Sequence, residues 1–274
     1  MVKGGRSGYE SGMCTVVVLR RRDHGWPLIL AGNRDEMIDR PWLPPGRHWP
    51  DRPEVVAGRD ELAGGTWVGI NDYGVIAAIL NGHGALGPAE GYRSRGELPL
   101  EVLDHADAAS AAEALGDVNP NAYRPFNLVI ADNRDAYCLS VMAADWGARA
   151  ELKPLPEGVS MITARGLNDQ RSPRTRTYLP QFRRAGAPDP DAPDASGWSD
   201  WRALWASRIH GTAEGADGAM TIVTDRGFGT VCSSLIALPA VDNASDQPIF
   251  LFAPGRPGDT GFEPIELAAL GVET

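Results

Sequence analysis

Basic side chains and extended apolar segments are both scarce in this sequence of 274 residues. Lysine and arginine together number 26, against 36 aspartates and glutamates, so the formal net charge is -10 at pH 7. This balance disfavours binding to a nucleic-acid phosphate backbone. The apolar segments, such as 15–19 and 74–80, are far shorter than the roughly 18 residues that a membrane-spanning helix needs. We therefore expect neither a nucleic-acid partner nor a membrane span.

Cysteine is also rare, with only Cys14, Cys138 and Cys232, which are far apart in the sequence. An odd, dispersed set fits neither a disulfide framework nor a CxxC metal site, so we expect free thiols. Residues 1–12 hold no apolar segment typical of a secretory signal peptide, which favours a cytoplasmic location. We expect residues 13–274 to form a single domain, with 1–12 as an N-terminal extension.

Strand and helix patterns place a helical middle between two strand-rich parts. Runs of β-branched and apolar residues predict strands, and these runs are apolar nearly throughout, which indicates strands covered on both faces. The predicted strands are 14–19, 28–32, 64–70, 74–80, 126–131, 136–141, 159–164, 220–223, 230–238 and 249–252. The predicted helices are 98–115, as two short helices broken near 105–107, then 170–184, and 198–209 with a tryptophan packing stripe. This order predicts an α+β sandwich.

Cys14 directly follows Met13 at the start of the first predicted strand. If translation starts at Met13, removal of that methionine leaves the thiol beside its own α-amine. The pKa of such an amine is about 8, so the amine can accept the thiol proton at neutral pH. One residue then supplies both nucleophile and base. Residues 1–12 reflect an upstream start, a cleaved propeptide, or an extension that abolishes this mechanism. The alternative interpretation is a buried strand cysteine with only a packing role.

Four polar residues, Asn33, Arg34, Asp35 and Glu36, end the second predicted strand. A hairpin brings them beside the start of the strand that contains Cys14. A guanidinium near the thiol favours the thiolate, and the carboxylates can orient the amine or the guanidinium. The alternative is a solvated turn whose charges pair with one another. If the four residues form the site, the sulfur of Cys14 lies within hydrogen-bond reach of one of them.

Asn81 ends an apolar strand and precedes Gly82, a position from which its amide can donate to a developing oxyanion, although a simple turn also accounts for it. His83 and Arg165 are lesser candidates, and a single histidine with no second ligand at fixed spacing is weak evidence for a metal. No Walker lysine or HExxH motif occurs, so P-loop nucleotide-binding and zinc-hydrolase functions have no support. We therefore assign no metal site.

Together these segments resemble the NRDE family, the group of the transport and Golgi organisation 2 proteins. The likeness rests on Met-Cys-Thr at 13–15, Asn-Arg-Asp-Glu at 33–36, Arg-Pro-Trp at 40–42 and the glycine-rich segment 58–71. The resemblance implies a branch of the N-terminal nucleophile hydrolases, whose fold is a four-layer αββα sandwich of two antiparallel sheets covered by helices. The choloylglycine hydrolase and penicillin V acylase group is similar, and its nucleophile and oxyanion asparagine correspond to Cys14 and Asn81.

Two functions follow from these residues and from the resemblance. The first is hydrolysis of a non-peptide amide (C–N) bond of a small molecule, in which Cys14 attacks the carbonyl, Asn81 and a backbone N–H hold the oxyanion, and residues 33–36 position the amine. This function requires no cofactor. The second, implied by the resemblance alone, is haem binding or haem trafficking, with Cys14, His83 or an arginine contacting the haem in a tryptophan-lined cleft. The residues expected to bind the substrate are Trp42, Trp67, His83 and Arg165.

Overall fold

The computed structural model describes residues 14–85, 87–144, 147–192, 195–212, 215–242 and 247–267. Within these ranges the chain forms fourteen strands and four α-helices. The strands are β1 (Thr15–Arg20), β2 (Leu28–Met37), β3 (Trp42–Gly46), β4 (Val55–Asp60), β5 (Val68–Asn71), β6 (Ile76–Asn81), β7 (Phe126–Ala131), β8 (Ala136–Ala144), β9 (Gly147–Pro154), β10 (Gly158–Thr163), β11 (Gly166–Leu167), β12 (Phe228–Leu238), β13 (Ile249–Ala253) and β14 (Glu263–Pro264). The helices are α1 (Leu98–Leu103), α2 (Ala108–Gly116), α3 (Pro173–Arg184) and α4 (Ser199–Trp205).

The strands of the described residues form two antiparallel sheets of seven strands each. The first sheet has the order β11-β10-β1-β2-β12-β13-β14, and the second has the order β3-β4-β5-β6-β7-β8-β9. In the first sheet β2 lies between β1 and β12, so that Asn33 is opposite Thr15 on one side and Ser233 on the other. Residues 33–36 therefore lie beside the start of β1, as the hairpin pattern predicted.

Three cores of buried side chains hold the sheets and helices together. Strand side chains alternate between the two faces of a sheet, so Val16 and Val18 enter the core between the sheets, whereas Val17 and Leu19 enter the core beneath α3 and α4. The third core lies between the second sheet and the helices α1 and α2. The order helix, sheet, sheet, helix confirms the predicted α+β class and its four-layer αββα sandwich.

The helices match the sequence pattern except that α3 begins at Pro173, not at 170, and that the last predicted helix ends early. The segment 98–115 forms two short helices, and Asp107 caps α2 by accepting a hydrogen bond from the N–H of Ser110, as residues at a helix start commonly do. The predicted helix 198–209 is too long, because after Trp205 the chain bonds elsewhere: the carbonyl of Ile209 accepts from the Tyr178 hydroxyl. The tryptophans of this segment are buried, as expected of a packing stripe. No helix in the described part of the chain combines the length and apolar character needed to cross a bilayer.

The strands differ from the prediction in two places that matter for the site. The strand predicted over 28–32 continues to Met37, because β12 pairs with β2 along its whole length. The expectation that residues 33–36 end the strand is therefore wrong, and they lie within it. The predicted strand 220–223 forms only an isolated bridge between Val223 and Gly229. The sequence pattern also missed β3, β9, β11 and β14, which are short or largely exposed, and β4, which is buried.

Candidate functional site

The polar residues 33–36 divide between the two faces of the first sheet. Because strand side chains alternate, Arg34 and Glu36 share the face of β2 that is turned to the second sheet, and Asn33 and Asp35 share the face that is turned to the helices. Cys14 precedes Thr15, which is opposite Asn33, so its register position is beside Arg34. Arg34 and Glu36 thus lie on the face of the sheet that carries the thiol, and Asn33 and Asp35 lie on the opposite face.

The thiol of Cys14 lies against the backbone of Asp35. The N–H of Asp35 donates a hydrogen bond to Sγ over 3.4 Å, and Sγ can donate to the carbonyl oxygen of the same residue over 3.6 Å. Cys14 is only partly buried, whereas Cys138 and Cys232 are 1% and 0% exposed. The sulfur is therefore within hydrogen-bond reach of residues 33–36 and remains accessible from one side.

The surroundings of Cys14 keep its thiol protonated. Burial raises the pKa of the Cys14 thiol to about 12, and the negative charge of Asp35 is the next largest cause, while the N–H of Asp35 and the guanidinium of Arg34 act in the opposite direction. The guanidinium of Arg34 favours the thiolate as expected, but in the peptide-linked residue burial outweighs its charge. At neutral pH this thiol needs a base to take its proton.

A buried ion pair holds the side chain of Asp35 on the opposite face of the sheet. Its carboxylate accepts a hydrogen bond from Nη1 of Arg174 on α3 over 3.1 Å, and neither side chain is exposed. Thr230 donates its hydroxyl to the same carboxylate, and Arg174 also donates to the hydroxyl of Thr15. A buried carboxylate needs such partners, since an unpaired charge in the interior is strongly destabilising. The network joins α3, β1, β2 and β12 directly beneath Cys14.

Asn33 is fully engaged with neighbouring protein groups. Its amide nitrogen donates to the carbonyl of Met220 over 2.8 Å, and its amide oxygen accepts from the hydroxyl of Ser233. The side chain is buried, with 3% of it exposed. Buried polar groups require partners, and these bonds supply them. Through them Asn33 joins β2 to β12 and to the segment that precedes β12.

Arg34 belongs to a second ion cluster, on the face turned to the second sheet. Nη2 of Arg34 donates to Asp60 over 2.7 Å, and Arg40 binds the same carboxylate over 2.6 and 2.9 Å. Glu36 lies 3.8 Å from Arg40. Burial opposes ionisation of Asp60, but the hydrogen bonds from Arg40 and from the N–H of Ala63, with the charges of both arginines, outweigh it and lower the pKa of Asp60.

Trp67 supports the guanidinium of Arg34 from below. The carbon Cζ of Arg34 lies 4.4 Å from the centroid of the Trp67 ring, a cation–π arrangement. The ring occupies this position because residue 58 is glycine: a Cβ on Gly58 would lie 2.4 Å from the ring. Trp42 packs edge-on against Trp67 with 5.9 Å between ring centroids, and in the same way against Phe252. Nη1 of Arg34 is buried and has no hydrogen-bond partner among the described residues.

Cys14 lines a cavity of about 380 Å³. The cavity wall includes Arg34 and Trp67 from the two sheets and the segment 87–96 that leads into α1. Asn81, the last residue of β6, is half-buried and lines the same cavity. Cavities of this size hold small molecules in many proteins. The structure therefore gathers the thiol, three residues of the predicted polar cluster and the predicted oxyanion asparagine around one volume.

The other predicted substrate-binding residues lie outside this wall. Nη2 of Arg165 is 3.2 Å from Nε2 of His83, and the N–H of His83 donates to the carbonyl of Ala164 over 2.9 Å. Among the described residues that line the cavity, Trp67 is present, whereas Trp42, His83 and Arg165 are not. His83 and Arg165 thus form a separate contact, and Trp42 acts on the cavity only through its packing against Trp67.

The residues expected to contact a haem are not gathered in one place. Cys14 lines the cavity, whereas His83 is exposed and bonded to Arg165 outside it. Within the described ranges, no three histidine, cysteine, aspartate or glutamate side chains converge as ligands of a metal ion. Of the expected contacts, the cavity therefore offers Cys14 and arginines but not His83, and we derive no step through a haem.

Sequence reasoning did not identify the residues that hold the predicted site together. Arg174 lies on a helix that the sequence marks only as cationic, and Thr230 lies on a strand that pairs with β2 from almost 200 residues away. No local signal connects either residue to Asp35. Asp60 stands in the Gly-Arg-Asp segment 58–60, which carried the family resemblance, so its motif was visible although its contacts were not.

A family model and a curated relative match this chain. The model described as Transport and Golgi organisation 2 matches residues 13–185. The Transport and Golgi organization protein 2 homolog of Bos taurus is similar, with 33% identity over 142 residues, which is 48% of this chain and 48% of that protein. The chain thus matches about half the length of the curated relative.

Two solved structures are also similar. An N-acylethanolamine-hydrolyzing acid amidase ortholog of Caenorhabditis elegans has a TM-score of 0.49 and 14% identity, over 85% of this chain and 96% of that one. A mutant conjugated bile acid hydrolase from Clostridium perfringens has a TM-score of 0.49 and 13% identity, over 92% of each chain. At this level of likeness neither structure carries an argument about the chemistry of this chain.

Proposed function

We propose that this chain, which belongs to the Transport and Golgi organisation 2 family, hydrolyses a non-peptide amide bond of a small molecule with Cys14 as its nucleophile. The family is the one that the motifs at 13–15 and 33–36 predicted. The observation that carries the proposal is the position of Sγ, which accepts the N–H of Asp35 over 3.4 Å at the wall of a cavity of about 380 Å³. Cys138 and Cys232, by contrast, are packed in the core between the sheets.

The groups around the thiol support attack on a carbonyl carbon. The N–H of Asp35 fixes the sulfur, and the ion pair between Asp35 and Arg174 fixes that strand from below. Asn81 lines the same cavity and carries an amide that can donate to an oxyanion. Donors that are held in place before the reaction stabilise developing negative charge without reorganising, which is a large part of enzymatic rate enhancement. We assign the oxyanion to Asn81 and a backbone N–H.

The proposed reaction has two steps. In the first, the α-amine of Cys14 takes the thiol proton, Sγ bonds to the carbonyl carbon, and the C–N bond breaks as the leaving amine takes that proton, which leaves a thioester. In the second, the amine takes a proton from water, the hydroxide attacks the thioester carbon, and the C–S bond breaks to release a carboxylic acid. The thiol recovers its proton from the amine. The protein is unchanged at the end, and one water is consumed.

The base in this scheme exists only when the chain begins at Cys14. While Cys14 is linked to Met13, its nitrogen belongs to a peptide bond and cannot accept a proton, and the pKa of the thiol is about 12. The pKa of a freed α-amine is about 8, and in its protonated form the amine also favours the thiolate beside it. We therefore propose that loss of the residues before Cys14 activates the site.

A hydrolysis assay tests the proposal. A panel of N-acyl amides of 7-amino-4-methylcoumarin, with short, long and carboxylated acyl groups, is incubated with protein that begins at Cys14. We expect coumarin release from at least one member, and none from protein that begins at Met1 or from C14A in the shortened chain. C138A is the matched control, because it removes a buried thiol outside the cavity. Equal coumarin release from C14A and the unsubstituted shortened chain would contradict the assignment of Cys14.

Haem binding is the competing outcome, and a titration separates it from hydrolysis. Haemin added to the full chain gives a shifted Soret band and a saturable stoichiometry if the protein binds it. We expect the spectrum of free haemin to persist, because a cysteine binds haem iron as its thiolate, burial raises the pKa of the Cys14 thiol in the full chain to about 12, and His83 lies outside the cavity. A shifted band that C14A abolishes, without turnover of any amide, would favour the carrier over the hydrolase.

A further inference from the structure

The charged lining of the cavity is richer in arginine than in carboxylates, although the whole chain carries a formal charge of -10. Five arginines and three carboxylates belong to the lining. The carboxylate of Asp35 is bound by Arg174 from outside the cavity, and the carboxylate of Asp60 binds two of the lining arginines at once. Positive charge in this wall therefore exceeds the negative charge that is placed to neutralise it.

Arg95 is a lining arginine whose hydrogen-bond partners among the described residues are all neutral. Its Nη1 donates to the carbonyls of Ala85 and Pro125 over 2.8 and 3.0 Å, and its Nη2 donates to the carbonyl of Gly87 over 3.2 Å. Arg34, Arg40 and Arg93 of the lining form ion pairs with carboxylates in the described part of the chain, whereas Arg95 does not. The three carbonyls fix the orientation of the side chain, but they do not cancel its charge.

A neighbouring arginine on the same wall behaves differently. Arg93 lies 2.7 Å from Glu97 and 3.5 Å from Glu101, so its charge is compensated on the outer side of the segment. The two arginines are two residues apart and both line the cavity. Arg93 is therefore the natural control for any effect that is assigned to the charge of Arg95.

Arg95 and the thiol of Cys14 also interact electrostatically. Burial lowers the pKa of Arg95 to about 10, the nearby positive charge of Arg124 lowers it further, and the charges of Cys14 and Glu36 act in the opposite direction. Arg95 is thus within electrostatic reach of Cys14, and both residues line the same cavity. An anion placed against Arg95 would compensate a partly buried charge that the protein leaves without a counterion.

We propose that Arg95 binds an anionic group in this cavity, and that the amide substrate carries a carboxylate that its guanidinium holds while the carbonyl meets Sγ of Cys14. The second part rests on the proposed function, whereas the first part does not. The carbonyls of Ala85, Gly87 and Pro125 hold the guanidinium in a fixed orientation, and a guanidinium that is already oriented loses little entropy when it binds a carboxylate.

Alkylation of Cys14 in the full chain tests the anion site without any hydrolysis. Iodoacetate carries a carboxylate and iodoacetamide is its neutral counterpart, so the ratio of their rates at Cys14, divided by the same ratio for glutathione, reports local charge. The rates are measured at pH 9 from the masses of the tryptic peptide. We expect the ratio to fall by about fivefold in R95Q, to stay near the wild-type value in R95K, and to change by less than twofold in R93Q.

A protection experiment then tests binding directly. Hexanoate is expected to slow the reaction of Cys14 with iodoacetamide in a saturable manner in wild type and R95K but not in R95Q, and hexanamide is expected to protect far less. The proposal is overturned if R95Q keeps the wild-type alkylation ratio, if hexanoate protects R95Q as well as wild type, or if neither reagent reaches Cys14. Because R95K keeps the charge but not the three carbonyl contacts, a loss shared by R95K and R95Q would assign Arg95 a structural role and also overturn the proposal.

Discussion

The backbone N–H of Asp35 donates a hydrogen bond to Sγ of Cys14 over 3.4 Å. The carboxylate of the same Asp35 is bound on the other face of the sheet by Arg174, with neither side chain exposed. One strand residue thus contacts the thiol through its backbone and the supporting helix through its side chain. The position of the thiol depends on a buried ion pair on the opposite face of the sheet.

Removing the cation of this pair is expected to be costly. R174M leaves the carboxylate of Asp35 buried without its charged partner, so we expect the free energy of unfolding, measured by urea denaturation, to fall by about 3–5 kcal/mol. R171Q is the control, because Arg171 is 73% exposed in its pair with Asp169, and its loss is expected to cost less than about 1 kcal/mol.

The double variant D35N/R174M separates charge from packing. Without the carboxylate, no unpaired charge remains in the interior, so we expect this variant to be more stable than R174M alone. If the loss of unfolding free energy in D35N/R174M equals the sum of the losses in D35N and in R174M, the ion pair does not explain the cost of R174M.

Stability is expected to depend on pH through Asp60. Its pKa is lowered in the folded protein, so its ionised form contributes stability above the unfolded value of about 3.9, and this contribution disappears as the pH falls through the lower folded pKa. We expect D60N to lose about 3 kcal/mol at pH 7 and progressively less below about pH 4, by urea denaturation at a series of pH values. Asp51, with a 72% exposed side chain, provides the control D51N, which should show no such trend. A D60N deficit that is constant from pH 7 to pH 3 would refute this role.

The glycine beneath the Trp67 ring is expected to be required. In G58A the new Cβ would lie 2.4 Å from the ring, so Trp67 must move away from Arg34, at a cost of about 1–3 kcal/mol in the free energy of unfolding. G25A is the matched control, because a Cβ on Gly25 meets nothing within 4 Å. Equal stability of the two variants would show that the ring has room to move.

The three thiols are expected to react in a fixed order. Cys14 is partly buried beside the cavity, whereas Cys138 and Cys232 are buried in the core. Under native conditions N-ethylmaleimide should modify Cys14 first, and the other two only at the rate of local or global opening. Peptide masses over a time course give the order. Modification of Cys232 as fast as Cys14 would mean that the core opens readily or that the cavity is closed to the reagent.

The sequence predicted much of the fold because its strands are strongly patterned. The β-branched run at Thr15–Arg20 and the two hairpins around 64–80 and 126–141 became neighbouring strands as expected. The extent of β2 was not predictable, because polar residues 33–36 resemble a turn until β12 and the cation of Arg174 are present. Tertiary partners override the local preference of polar residues for loops.

The site was predicted in part for the same reason. Cys14, Arg34 and Asn81 meet at one cavity because Cys14 and Asn81 stand at strand ends and Arg34 follows an apolar strand segment, all of which sequence patterns locate. Arg95 and Arg174 are far from Cys14 in the sequence, and no sequence pattern connects either residue with Cys14. His83 was expected with them, but its loop directs it to Arg165 instead.

The pH dependence of Cys14 alkylation tests most directly whether a freed amine activates the thiol. Iodoacetamide rates are measured from pH 5 to pH 11 for protein that begins at Met1 and for protein that begins at Cys14. We predict a midpoint near pH 8 for the chain that begins at Cys14, and rates that are still rising at pH 11 for the longer chain, whose thiol has a pKa of about 12. Coincident profiles for the two chains would contradict the proposed nucleophile and its base.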